Sequence, residues 1–157
     1  MKIDDIKTMA HDILDRNALE CDYIEYKKSA SDVILGKILK TSCAYANNYM
    51  NREIGLIYIG VEEKDDKETG EKAFPVRPIS GINESQIETT ENKIKSLLAN
   101  VHPKIRYHLI DDIIDDRHYI VIAVEPGTEG PYETSDKAEK DKKISLKAAR
   151  LSTFNSP

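Results

Sequence analysis

Glu20-Cys21-Asp22-Tyr23-Ile24-Glu25-Tyr26-Lys27 follows the end of a helical pattern and reads as a β-strand from about Asp22 onward. Side chains of a strand alternate between its two faces. Ile24 and Tyr26 then point one way, and Tyr23, Glu25 and Lys27 the other. The first side suits a hydrophobic core. The second carries a carboxylate and an ammonium two residues apart, and Glu20, just before the strand, can lean over the same face. Carboxylates hold hard divalent cations, and a lysine beside them offsets the charge of an attacked phosphate. The same pattern also suits a half-buried strand whose polar face is merely solvated.

Upstream, Ile3, Ile6, Met9-Ala10 and Ile13-Leu14 recur at helical spacing, which predicts a helix over 3–17 with a stop at Arg16-Asn17. Downstream, Ser29-Ala30-Ser31-Asp32 is a polar break in which Ser31 or Asp32 can cap a helix from Val33 to Asn48. Its apolar stripe narrows to Ser42-Cys43 and Ala46, and Lys37 and Lys40 fall on its polar side. After a loop over 49–53, Ile54-Gly55-Leu56-Ile57-Tyr58-Ile59-Gly60-Val61 is the most apolar stretch of the chain and predicts an interior strand buried on both faces. The strand ends at Glu62-Glu63, and the charged run to Lys72 reads as an exposed hairpin tip or loop. Pro75 and Pro78 limit 73–81 to a short edge strand at best.

Asn83 or Ser85 opens a helix bearing Ile87, Ile94 and Leu97-Leu98, closed by His102-Pro103. Strands are expected at 105–110 and 119–124, with a turn between Asp111-Asp112 and Asp115-Asp116-Arg117. Glu125 to Tyr132 reads as a rigid irregular loop, 133–143 as a charged mobile run, 144–147 as a last strand and 148–157 as a ragged end. The predicted class is α/β (α+β), a mixed β-sheet flanked by helices. One domain over 1–157 is expected, as the N-terminal part of a longer protein.

Composition narrows the function. The 157 residues hold 32% charged and 39% hydrophobic residues, the balance of a soluble protein, with no apolar run near the roughly 20 residues of a membrane span. No signal-peptide pattern opens the chain, so a cytoplasmic location is expected. Cys21 and Cys43 are isolated, which excludes a zinc site of the usual kind. No Gly-rich phosphate loop and no nucleophile–histidine pattern is present. A net charge of −5 argues against a generally basic nucleic-acid binder and leaves room for a local basic patch.

Four stretches in order carry a resemblance. Glu20-x4-Glu25-Tyr26-Lys27, Leu39 to Asn47, Leu56 to Glu62, and Val121 to Val124 with Gly130-Pro131-Tyr132 are together similar to the Schlafen-type, or AlbA-type DNA-binding, domain of prokaryotic proteins, also described as a divergent AAA module. The resemblance spans about Leu19 to Thr153 and implies a mixed α/β fold with Schlafen-core character. It implies a nucleic-acid-binding domain of a transcriptional regulator. It also implies an alternative, an endoribonuclease in which Glu20, Glu25 and Glu62 hold Mg²⁺ or Mn²⁺ and Lys27 assists catalysis; without that activity no cofactor is expected. A third reading is a protein-interaction module with a degraded site. The departures are a single glycine, Gly55, before the central strand and no glycine in 147–153. Lys37, Lys40, Lys147 and Arg150 are the expected phosphate contacts. The expected partner is nucleic acid, DNA or structured RNA, with a homodimer as a further option and no membrane.

Overall fold

The computed structural model describes residues 2–48, 53–66 and 71–134. Its centre is a four-stranded mixed sheet in the order β1-β2-β7-β6, built from β1 (Ile24–Lys27), β2 (Gly55–Ile59), β6 (Tyr107–Ile114) and β7 (Arg117–Val124). β1 and β2 run parallel, with Glu25 opposite Ile57 and Tyr26 opposite Tyr58. Parallel neighbours need a crossover connection, and here it contains α2 (Asp32–Asn47). β2 lies between β1 and β7 and is buried along its whole length, as its two-faced hydrophobicity requires.

The described chain forms two compact units, each discontinuous in sequence. The first takes in residues 1–29, 56–89 and 108–123. In it α1 (Ile3–Asp15) buries Ile6, Ala10, Ile13 and Leu14. Asn17, at φ 54°, ends the helix. The Asn17 N–H donates to Leu14 C=O and the Ala18 N–H to Ile13 C=O, the paired closure of a left-handed C-terminal cap. Tyr26, Tyr58 and Tyr119, from three adjacent strands, form a buried row with ring centroids 5.2 and 6.2 Å apart. Their hydroxyls reach Ala18 C=O, Ala10 C=O and the Asp112 carboxylate. Sheet and helical segment are thus joined by polar bonds made from within apolar packing.

The second unit takes in 30–55, 90–107 and the chain from 124 onward. α2 buries Leu35, Ile38, Leu39, Cys43, Tyr45 and Ala46 there, and α3 (Ile87–Leu98) contributes Ile94, Leu97 and Leu98. Asn47, buried at the end of α2, reads the backbone of Tyr132 in both directions: its Nδ2 donates to Tyr132 C=O, and its Oδ1 accepts from Tyr132 N–H at 2.7 Å. That bracket ties the end of the 125–132 loop to α2.

Several boundaries differ from the sequence reading. β1 begins at Ile24, since Cys21 and Ile24 exchange backbone hydrogen bonds across a tight turn at 22–23. The charged run after β2 is a strand, β3 (Glu63–Asp66), paired antiparallel with β4 (Glu71–Pro75) and irregular between Lys64 and Asp66. β6 runs through Asp111-Asp112 to Ile114, so the turn is confined to Asp115-Asp116. β5 (Val101–His102) and β8 (Glu133–Thr134) form a two-residue ladder, where the close of a helix and the start of a charged mobile run were expected. The expected loop over 49–53 up to residue 52, the charged run from residue 135, the expected strand at 144–147 and the end over 148–157 lie outside the described residues.

Candidate metal centre

Two strands and one loop of the first unit bring the acids together. β1 alternates buried and half-buried residues, so Ile24 and Tyr26 face the core while Glu25 and Lys27 stand on the open side. The Lys27 ammonium pairs with Glu25 Oε1 at 2.8 Å. Glu20 is irregular in backbone but fixed at both ends. Its N–H donates to Ala73 C=O of β4 at 2.8 Å, and its Oε1 accepts the Tyr26 N–H at 3.1 Å. The tie to β4 brings the ribbon alongside, and β3 presents Glu63.

Glu20, Glu25 and Glu63 each offer a carboxylate oxygen, and the three oxygens lie within 4.8 Å of one another. Two oxygens on opposite sides of one cation, at bonds of about 2.0–2.6 Å, are about 4–5 Å apart. The donor set is three hard carboxylates without thiol or imidazole, which fits Mg²⁺, Mn²⁺ or Ca²⁺ and disfavours zinc.

The third acid corrects the sequence reading. Glu62 was expected beside Glu20 and Glu25, and the residue that converges is Glu63. Neighbouring residues of an extended chain point to opposite sides, so only one of the Glu62-Glu63 pair can face the centre. The ribbon sets which. The Val76 N–H binds Glu62 C=O and Glu63 stands opposite Pro75, which turns the Glu63 carboxylate toward Glu20 and Glu25. The acidic doublet was visible in sequence; the register of a charged strand without apolar alternation was not.

Crowding of like charges shows in the protonation of the site. Burial, a hydrogen bond shared with Glu63, and the charges of Glu25 and Glu63 together raise Glu20 to about 8, against a smaller lowering by the Tyr26 N–H. Burial pulls Lys27 down, but its hydrogen bond to Glu25 and the charges of Glu25, Glu63 and Glu20 outweigh this, and its net shift is upward. Lys27 is therefore a fixed cation at neutral pH. Burial, aided by the charges of Glu20 and Cys21, pushes the Tyr26 phenol up, so its hydroxyl stays a donor.

The other expected site residues lie elsewhere in the chain. Lys37 and Lys40 are exposed on α2, three residues apart and so on neighbouring positions of one helix face. Lys147 and Arg150 lie outside the described residues. Burial, with a smaller contribution from Glu133, lifts the Cys43 thiol to about 12, which leaves it unreactive. Among the described residues, no helix is long and apolar enough to cross a membrane.

No curated protein matches the sequence. Among solved structures, the chain is similar to the N-terminal domain of a RecG-related protein from Nitrosomonas europaea, with a TM-score of 0.55 and 20% identity over 76% of this chain and 74% of that one. That likeness is one of fold. The DIP2311 protein from Corynebacterium diphtheriae is more distant, at a TM-score of 0.42 and 11% identity over 85% of this chain and 24% of that one. The sequence itself matches the family described as Schlafen, AlbA_2 over residues 20–150, a span that opens at Glu20 and includes Glu25, Lys27 and Glu63. The chain belongs to the Schlafen, AlbA_2 family.

Proposed function

We propose that this domain binds nucleic acid and that Glu20, Glu25 and Glu63 hold a divalent cation, Mg²⁺ or Mn²⁺, for cleavage of a phosphodiester, structured RNA being the favoured substrate. One observation carries the reading: three carboxylate oxygens converge within 4.8 Å, with the Lys27 ammonium 2.8 Å from one of those carboxylates. A bound cation supplies Lewis-acid stabilisation of a phosphoryl oxygen and an acidified water. The chain's own residues do the rest. With a cation bound, Glu20 would release to solvent the proton it shares with Glu63 and serve as a full ligand. Lys27 keeps its proton and offers a fixed positive charge to a non-bridging phosphate oxygen, stabilising charge that grows in the transition state. The Tyr26 N–H keeps the Glu20 carboxylate turned to the centre.

The test is a time course on transfer RNA and on duplex DNA with Mn²⁺, with EDTA and Glu25→Gln as controls. DNA is included because the Nitrosomonas neighbour is named for a DNA helicase. Mn²⁺-dependent cleavage that is lost with EDTA and in Glu25→Gln supports the reading. Cleavage that survives both controls overturns it.

A second reading keeps the binding and drops the cut, as in a cytoplasmic transcriptional regulator. The exposed Lys37 and Lys40 on one side of α2 favour it, and Lys147 and Arg150 belong to the same proposal. It predicts salt-sensitive binding to nucleic acid with no cleavage under any metal condition.

A further inference from the structure

Ala18 to Glu20 is irregular backbone, yet it must hold one of three converging carboxylates in place. Two of the bonds that fix it come from a single residue. The Tyr26 N–H donates to Glu20 Oε1 at 3.1 Å, and the Tyr26 hydroxyl donates to Ala18 C=O at 2.5 Å. The ring that joins these two donors has 0% exposure and lies 5.2 Å from the Tyr58 ring, so it has little freedom to follow a drifting loop. The third tie, Glu20 N–H to Ala73 C=O, fixes the same loop from the ribbon side.

We propose that Tyr26 is the positioning residue of the acidic centre, its hydroxyl anchoring the loop whose carboxylate its backbone N–H orients. The loss of cation affinity expected below rests on the centre's being a cation site; the anchoring itself does not. A ring without the hydroxyl fills the same space but leaves Ala18 C=O unmatched, and a group that orients a ligand typically changes metal affinity by about 10- to 100-fold when removed.

Tyr58 provides the control. Its hydroxyl donates to Ala10 C=O at 2.7 Å, a bond of the same kind that involves none of the three acids. The experiment compares wild type, Tyr26→Phe and Tyr58→Phe by residue-resolved amide exchange, normalised to Val121, and by calorimetric titration with Mn²⁺. In Tyr26→Phe the amides of residues 20 and 26 exchange about tenfold faster and Mn²⁺ binds about 10- to 100-fold more weakly. In Tyr58→Phe both readings stay at wild-type values. Unchanged exchange of both amides in Tyr26→Phe, or an equal change in Tyr58→Phe, overturns the proposal. If wild type takes up no Mn²⁺, the cation reading fails, and the exchange of residues 20 and 26 still decides the anchoring.

Discussion

Burial first, then the hydrogen bond shared with Glu63 and the charges of Glu25 and Glu63, raise the Glu20 carboxyl to about 8. The consequence for stability has a definite sign. A carboxyl whose folded value lies above its ordinary 4.5 binds more protons folded than unfolded between the two values. Its contribution is therefore full below about pH 4.5 and is lost as pH rises through about 8. In EDTA, the melting temperature should carry a falling component between pH 5 and about 8.5, and Glu20→Gln should remove that component. If the centre holds a cation as proposed, saturating Mn²⁺ should reverse the fall, because a ligand of the folded, deprotonated form alone stabilises that form. A pair of neighbours discriminates the site itself. Glu63→Gln should weaken Mn²⁺ binding by at least about tenfold, or about 1.4 kcal/mol, and Glu62→Gln should leave it unchanged. A loss in Glu62→Gln with Glu63→Gln unchanged in calorimetry would return the third ligand to Glu62. At this scale the face shared by Glu25 and Lys27 was legible from alternation alone. The choice between Glu62 and Glu63 was not, since it depends on a backbone partner ten or more residues away.

Among the elements, the β6–β7 hairpin shows how local chemistry sets a boundary that apolar pattern hides. Asp115 and Asp116 stand at φ 55° and 57°, the conformation that a two-residue turn with the twist of its strands requires. Asp tolerates that region, and Asp115 is held there. Arg77 Nε and its second terminal nitrogen grip the two carboxylate oxygens at 2.7 and 2.8 Å, and the Ile79 N–H adds a third bond at 3.0 Å. The same guanidinium reaches Leu14 C=O at 3.0 Å, so one ion pair joins the turn to the end of α1. Arg77, foremost, lowers Asp115 to about 2, with help from the Ile79 N–H. This stability is present above the ordinary carboxyl value and is lost as pH falls through about 2. Asp115→Asn keeps the turn conformation and removes the charge, and it should cost about 1.5–3 kcal/mol in urea unfolding at pH 7. Asp115→Ala should cost more, because alanine is strained at that φ. An indistinguishable urea midpoint for Asp115→Asn would deny the clamp.

The helices and the buried strand were readable from periodicity, and Asn17 was readable as a stop. β5 and β8, two residues each, are too short to show a period. β3 is charged throughout and is held by its pairing with β4. β6 was read four residues short because Asp111-Asp112 resembles turn chemistry. There Asp112 instead accepts the Ile113 N–H at 2.8 Å and the Tyr119 hydroxyl at 3.2 Å. A carboxylate bonded to the backbone of the outermost strand also blunts that edge against pairing with other chains.

At the scale of the whole molecule, a net charge of −5 means that affinity for nucleic acid must come from local charge and not from the overall field. If Lys37 and Lys40 each neutralise one phosphate, replacing both with alanine should reduce the slope of log affinity against log salt by about 1.8. An unchanged slope in fluorescence titrations at several salt concentrations would assign the contacts to other residues. The mixed sheet and the family were both foreshadowed by the order of motifs along the chain. The acidic centre depends on more: the parallel β1–β2 pair sets the face of Glu25, the β3–β4 ribbon brings Glu63, and Tyr26 orients Glu20. The most direct test of that convergence is diffraction from crystals soaked in Mn²⁺, recorded at the manganese absorption edge. A single anomalous peak within about 2.0–2.6 Å of carboxylate oxygens from Glu20, Glu25 and Glu63 is the predicted result. An ordered, fully soaked crystal with no peak there, or with the Lys27–Glu25 pair intact and Mn²⁺ bound elsewhere, would contradict it.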